Sequence, residues 1–267
     1  SGKAISNLEI IIPAYKNSFS TTRIFLLLEE DTNLNLTEVI LGDTQSAQSH
    51  LLEIKVSSKA YLNHGLIALG KEDNSHLFSQ VAVEQESDSN YSFTYVNKGW
   101  DLSRLEPRII QNKGNAISEL NGLQISNDHE QISTHSLVRF NGPNGKLNQL
   151  QKSIAKEYSH AIFEGIIQVP QIAQKTEASQ MSRNLLLSKR ARIDTKPELE
   201  IVADDVRCTH GATISQLQEE ELFYLQSRGI NSDIATYLIL KGFCQEIISK
   251  LPIDVNEWQL FNEFYGE

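Results

Sequence analysis

From Leu8 to about Ile214 the chain is a succession of short apolar runs separated by polar breaks rich in Gly, Asn and Ser. Runs of roughly four to eight residues between turn-forming residues are strand punctuation. Ile24 to Leu28, Leu51 to Val56, Leu77 to Val83, Ser136 to Phe140, Ala161 to Val169, Asn184 to Ser188 and Leu199 to Val202 are examples, and several alternate apolar with polar residues. Alternation turns one face of a strand toward a core and the other toward solvent. Run centres lie about ten to about twenty residues apart with no fixed short repeat, so the pattern fits a β-solenoid and a β-sandwich about equally.

At Ser215 the period changes. Ser215-Gln216-Leu217-Gln218 reads as an N-cap with its capping-box glutamine, and Glu219, Glu220 and Glu221 follow where a helix dipole favours acids. The spacing predicts a helix to about Arg228, stopped at Gly229, a residue suited to the left-handed position past a helix end. Asn231 or Ser232 caps a second helix, whose apolar face is Ile234, Tyr237, Leu238, Leu240, Phe243, Ile247, Ile248 and Leu251, and Pro252 ends it. One or two shorter turns are expected beyond it. The expected organisation is a β core over 1–214 and a C-terminal helical subdomain over 215–267.

Charge and cysteine content narrow the function classes. With 34 acidic and 24 basic residues the chain carries a formal charge of −10, the wrong sign for a nucleic-acid footprint or an anionic membrane surface. It has no run of eighteen apolar residues, and no apolar stretch follows the start Ser1-Gly2-Lys3, which points to a cytoplasmic or plastid-stromal protein. The two cysteines, Cys208 and Cys244, form no C-x-x-C pair. They fit a reducing compartment and cannot build a four-cysteine zinc or iron–sulfur site within one chain. A chain of 267 residues buries enough surface to fold without a metal or a disulfide.

Two motifs resemble catalytic signatures and fail on spacing. Asn141-Gly142-Pro143-Asn144-Gly145-Lys146-Leu147 has neither the glycine spacing nor the Ser or Thr of a phosphate loop, and it has turn chemistry throughout. His129 and His135 are six residues apart, too far on a strand to share one metal.

The stretch from Arg192 to Thr213 is denser in functional residue types. Cys208 and His210 are two apart, so on an extended strand both side chains leave one face, roughly 6 to 7 Å apart at Cα. Thiolate and imidazole suit a soft metal centre, but two ligands are half a tetrahedral shell. A buried structural cysteine beside a hydrogen-bonded histidine fits the same pair. Asp194, Asp204 and Asp205 can ligate a hard cation or serve as turn and capping residues.

Several blocks together carry a family resemblance: Ala173-Gln174-Lys175-Thr176-Glu177-Ala178-Ser179-Gln180, Arg183 to Ser188, Asp194-Thr195-Lys196-Pro197-Glu198-Leu199-Glu200-Ile201, Asp204 to Thr213, and Leu222 to Ile230. They closely resemble the SufB/SufD family of iron–sulfur cluster assembly proteins, densely from about His160 to Arg228 and weakly before Trp100. Thr195-Lys196-Pro197 and Cys208-Thr209-His210-Gly211 look like SufD, where SufB tends to carry His-Glu-Ala-Thr. The resemblance implies a right-handed parallel β-helix core and a non-enzymatic scaffold that pairs with SufB through that core. It also implies binding of the ATPase SufC through the C-terminal helices, with Tyr224, Leu225, Arg228 and Gly229 near that contact. His210 and, less firmly, Cys208 become candidate ligands of a transient cluster completed by SufB, with no cofactor held by the isolated chain. Without SufB, the chain is expected to be able to pair with itself as a homodimer. Full-length members also have an N-terminal helical domain that this chain lacks.

Two other readings stay open on the residues. One is a calcium-dependent polysaccharide-active β-helix enzyme using Asp194, Asp204 and Asp205, with Arg192 or Arg207 as base. The other is a structural adaptor without a metal role, which differs from the scaffold only at His210.

Overall fold

The structure is a computed structural model that describes residues 7–71 and 74–253. Among these residues fifteen strands run in order: β1 (Asn7–Pro13), β2 (Phe19–Leu28), β3 (Asn33–Leu41), β4 (Ala47–Val56), β5 (Tyr61–Leu69), β6 (His76–Gln85), β7 (Asn90–Lys98) and β8 (Leu102–Gln111), then β9 (Ile117–Ser126), β10 (Gln131–Phe140), β11 (Lys146–Ala155), β12 (His160–Val169), β13 (Glu177–Leu186), β14 (Arg192–Ile201) and β15 (Arg207–Gln216). Two helices follow, α1 (Glu219–Ser227) and α2 (Ser232–Ile248). Odd-numbered strands form one sheet and even-numbered strands the other, and each strand pairs in parallel with the strand two places away. A sandwich of hairpins would pair antiparallel neighbours, so the solenoid alternative is the one adopted, a parallel β-helix of two strands per coil.

The coil length explains why no repeat was visible. Asn90 pairs with Ile117, 27 positions on, whereas Lys146 pairs with Glu177, 31 positions on. Strand length stays near ten residues while the corners vary, so the repeat drifts. The corners have their own signal. Asn17, Asp31, Asn74, Asp88, Asn115, Asp128 and Asn144 have positive φ, as do Gln45, Lys59, Glu157 and Lys175. Asn and Asp supply most of these because their short polar side chains tolerate the left-handed region. Asn144 is one of them, so the segment that resembles a phosphate loop is a corner between β10 and β11.

Alternate residues of both sheets point into a single lumen and form the main core, from Leu34 and Leu36 through Phe93 and Trp100 to Ile167 and Val169. The outer face of the odd-strand sheet is covered as well. Ile67, Val96, Leu123, Ile125 and Ile154 pack there against Leu240, Cys244, Ile247 and Ile248 of α2 and against Leu251. The approach is close at Gly65, where a Cβ would lie 2.4 Å from Cδ of Pro252. Lys152, buried beneath α2, donates from Nζ to the Phe243 carbonyl at 2.7 Å and meets Glu246 Oε2 at 2.5 Å. Lys250 reaches Glu119 at 2.7 Å and Asn121 at 2.9 Å on the same sheet face.

One polar cluster lies inside the lumen of the early coils. Glu38, His50, His64 and Tyr91 are all buried. His50 Nε2 is 2.6 Å from Glu38 Oε1, His64 Nε2 is 3.5 Å from Oε2, and Tyr91 Oη is 3.0 Å from His64 Nδ1. The His–Glu contacts are ionic in distance without well-aligned hydrogen bonds. Burial alone would raise the Glu38 carboxyl, but the contacts with His50 and His64 outweigh it and bring it down to about 2. Burial, with the Glu38 charge added, pushes the Tyr91 phenol well up, so it stays protonated as a donor.

The helical segment departs from expectation at its start. Ser215 does not cap a helix: it is in register with Leu185, its Oγ donates to the Asn184 carbonyl at 3.4 Å, and β15 continues through Gln216. Pairing with β13 outcompetes the local capping pattern. Helix α1 begins at Glu219, with Gln218 as an N-cap that makes no side-chain capping bond. Gly229 follows α1 with φ +83°, and Asn231 Oδ1 accepts from the Ile234 N–H at 2.8 Å, as expected for both positions. In α2 Ala235, Leu240, Cys244, Ile247 and Ile248 are buried, the last four against the sheet, leaving Ile234 and Leu238 exposed. The apolar stripe is wider than the surface it covers. The turns expected beyond Ile253 lie outside the described residues.

Candidate functional site

The site residues sit on the last coil. Strands β14 and β15 end their sheets, each paired on one side only among the described residues. A terminal coil therefore presents two rows of unpaired backbone groups and the cross-section of the lumen. Its rim carries Leu199, Val206 and Cys208, all half-buried against the core, with Ile201, Val202 and Ile214 exposed.

Register places the two candidate ligands. Cys208 is opposite Ala178 and His210 opposite Gln180, and both partners are buried inward-facing residues. Cys208 and His210 thus extend two columns of the lumen beyond its last complete coil, on one strand face as their spacing predicts. Their environments differ. Burial pushes the Cys208 thiol up, and a hydrogen bond with the Ala178 backbone offsets this only in part. The thiol is held toward its neutral form, whereas the His210 side chain is exposed and meets no hydrogen-bonding partner among the described residues, its backbone being paired with β13. An imidazole at an open edge presents a ring nitrogen of the kind that soft metals take.

Two of the three aspartates are otherwise engaged through their side chains, and Asp205 bonds Gln174 and Lys175 through its backbone. Asp194 meets His160 Nε2 at 2.7 Å and Arg192 Nη2 at 2.8 Å; burial would raise its carboxyl, yet the hydrogen bonds from these two side chains, with the Arg192 charge, hold it below the usual range. Asp204 accepts from Gln171 at 3.0 Å. No three His, Cys, Asp or Glu side chains converge as a metal site among the described residues, so the calcium-enzyme reading has no ligand cage there. His129 lies in the corner before β10, stacked on Tyr158, and His135 pairs with Glu164 at 3.0 Å, so the two histidines do not meet.

Helix α1 buries none of its residues. Leu222 and Leu225 are half-buried, while Phe223 is 71% and Tyr224 59% exposed. The Arg228 guanidinium lies 5.5 Å from the Tyr224 ring centroid. Phe223 was not singled out from the sequence; its place one residue before Tyr224 was the available signal, and the structure leaves every residue of α1 unburied. Gln180 was missed too, because its relation to His210 is set by a register 30 positions long.

Residues 10–243 match the family model described as the SUF system FeS cluster assembly SufBD core domain. An iron–sulfur cluster assembly SufBD family protein of Synechocystis is 42% identical over 201 residues, 75% of this chain and 44% of that protein. A chloroplastic protein of Arabidopsis thaliana is 34% identical over 237 residues, 87% of this chain and 50% of that one. The iron–sulfur cluster assembly protein SufD of Escherichia coli is 33% identical over 213 residues, 80% of this chain and 50% of that one. The chain thus spans about half the length of these relatives.

Proposed function

Because the chain belongs to the SufBD core family of the SUF iron–sulfur cluster assembly system, we propose that it works as a SufD-like arm of the assembly scaffold, not as an enzyme in its own right. Its partners are SufB at the open end of the β-helix and the ATPase SufC at the C-terminal helices. The cluster is cargo, built at the SufB contact and passed on. The observation that carries this reading is the terminal coil, whose edge, unpaired among the described residues, places the exposed His210 side chain at the open end of a lumen column. An incomplete ligand set on an incomplete sheet edge is what a shared site requires. Cys208 sits beneath it as a packing thiol and a second candidate ligand. Compartment follows the relatives, cytoplasm or plastid stroma; among the described residues no helix is long and apolar enough to cross a membrane.

The test is His210→Ala in a complex reconstituted anaerobically with SufB and SufC. Cluster assembly is expected to fall at least about tenfold, the scale of losing a ligand or its support, while the complex still forms. Normal assembly would replace this reading with that of an adaptor; loss of the complex would make His210 an interface residue.

For SufC docking, α1 supplies Tyr224 and Leu225, with Arg228 and Gly229 ending it, and Phe223 joins them as an exposed aromatic anchor. Phe223→Asp with Tyr224→Asp is expected to weaken SufC binding by about 2 kcal/mol or more, leaving the melting temperature of the chain nearly unchanged. Unaltered SufC affinity, measured by calorimetry, would move the docking site away from α1.

A further inference from the structure

Three polar side chains run through the lumen toward His210. Gln149 donates from Nε2 to Ser136 Oγ at 2.8 Å, and Gln180 donates from Nε2 to Gln149 Oε1 at 2.8 Å. All three are buried. Room for the Gln180 amide exists because residue 165, across the lumen, is glycine, where a Cβ would come within 2.4 Å of Nε2. One N–H of the Gln180 amide goes to Gln149, while its acceptor, Oε1, is buried and has no partner. A buried acceptor without a donor is costly. The side chain next in register, on the open side, is His210. In-register neighbours on adjacent strands lie about 4.8 Å apart; the two side chains are not bonded in this structure, and a rotation of the exposed His210 ring is what brings one imidazole N–H to Oε1.

We infer that Gln180 is the positioning residue for His210, accepting one imidazole N–H at Oε1 so that the other ring nitrogen faces outward with its lone pair free. The donor direction of the chain, from Gln180 to Gln149 to Ser136, decides this: each amide spends its N–H inward and offers its oxygen toward the next coil. A ligand histidine needs the same arrangement, since the nitrogen that does not bind metal must hold the proton and be held in turn. The inference rests on the reading of His210 as a cluster ligand for its purpose, but not for its geometry.

The two are separated by nitrogen-15 NMR of histidine-labelled chain at mildly alkaline pH, with His210 assigned through the His210→Gln variant. One ring tautomer of His210 should predominate by roughly fivefold or more, the bias a single net hydrogen bond confers. Gln180→Leu should return the ring to the mixture of an exposed imidazole, and Gln180→Glu, which keeps the acceptor, should restore the bias. In the reconstituted complex Gln180→Leu should slow cluster assembly about tenfold. A wild-type ring already in the free mixture, or a tautomer ratio unmoved by Gln180→Leu, overturns the inference even if His210→Ala abolishes assembly. A tautomer shift with assembly indifferent to His210→Ala keeps the hydrogen bond and removes the ligand role. The wild-type spectrum decides the first point even where Gln180→Leu fails to fold.

Discussion

Glu38→Ala is expected to destabilise the chain by about 3–5 kcal/mol, the cost of breaking a buried charged cluster by removing one member. The side chain is fully buried and touches two imidazoles, so its loss leaves His50 and His64 without the carboxylate they both contact and opens a cavity in the second coil. Glu38→Gln keeps the volume and isolates the charge. The sign of the pH dependence follows from the lowered carboxyl. A group at 4.5 when unfolded and about 2 when folded stabilises above the higher value, by about 3 kcal/mol. That contribution is lost as pH falls through the interval between them. The stability gap between the native chain and Glu38→Gln, from urea titrations, should therefore narrow by about 3 kcal/mol between about pH 5 and pH 2. A gap constant over that range would mean that the carboxylate does not titrate with folding.

Lys152→Glu is expected to detach α2 from the odd-strand sheet. The ammonium is buried, bonded to the Phe243 carbonyl, in contact with Glu246 and 4.4 Å from the Phe243 ring centroid. A carboxylate there faces Glu246, which keeps only Arg183 at 3.6 Å as an ion-pair partner, and a carbonyl oxygen to which it cannot donate, at a cost of about 3–5 kcal/mol. Lys152→Met keeps the aliphatic stem and should cost only about 1–3 kcal/mol. Hydrogen exchange of the α2 amides reads the difference: fast exchange confined to the helices in Lys152→Glu, near-native protection in Lys152→Met. Equal protection in the two variants would show that apolar packing of Leu240, Cys244 and Ile247 holds the helix unaided. Cys244, whose thiol burial pushes up to about 12, provides a second readout, since detachment should expose it to thiol reagents.

The strands were legible where one face meets water. Leu51 to Val56 and Ala161 to Val169 alternate in the sequence and form β4 and β12 of the even-strand sheet. In β5 and β7 the signal is blurred because α2 buries the outer face as well, and Gly65, Ile67, Thr94 and Val96 are all inaccessible. The choice between solenoid and sandwich was not legible, since it depends on which strand pairs with which, and the spacing between paired strands drifts from coil to coil. At the site, the shared face of Cys208 and His210 follows from a spacing of two on an extended chain. Their position as the outer ends of lumen columns does not, because Ala178 and Gln180 lie a full coil earlier. Local capping rules misplaced the first helix for a similar reason, as Ser215 answers to Leu185 on β13 and not to Gln218.

Because every strand pairs only with the coils on either side, the β-helix behaves as a linear stack in which each layer is held by its nearest neighbours. An interior layer opens only by breaking two such interfaces, whereas the layer formed by β14 and β15 breaks one. The strand bearing His210 is therefore among the most weakly clamped in the stack, and fraying from that end leaves the Glu38 cluster untouched. A partner adding its own strands there supplies the missing neighbour, by the same linkage through which any ligand of the folded state stabilises it. An uncovered end thus leaves His210 on the layer that frays first, and any strand added there tightens it.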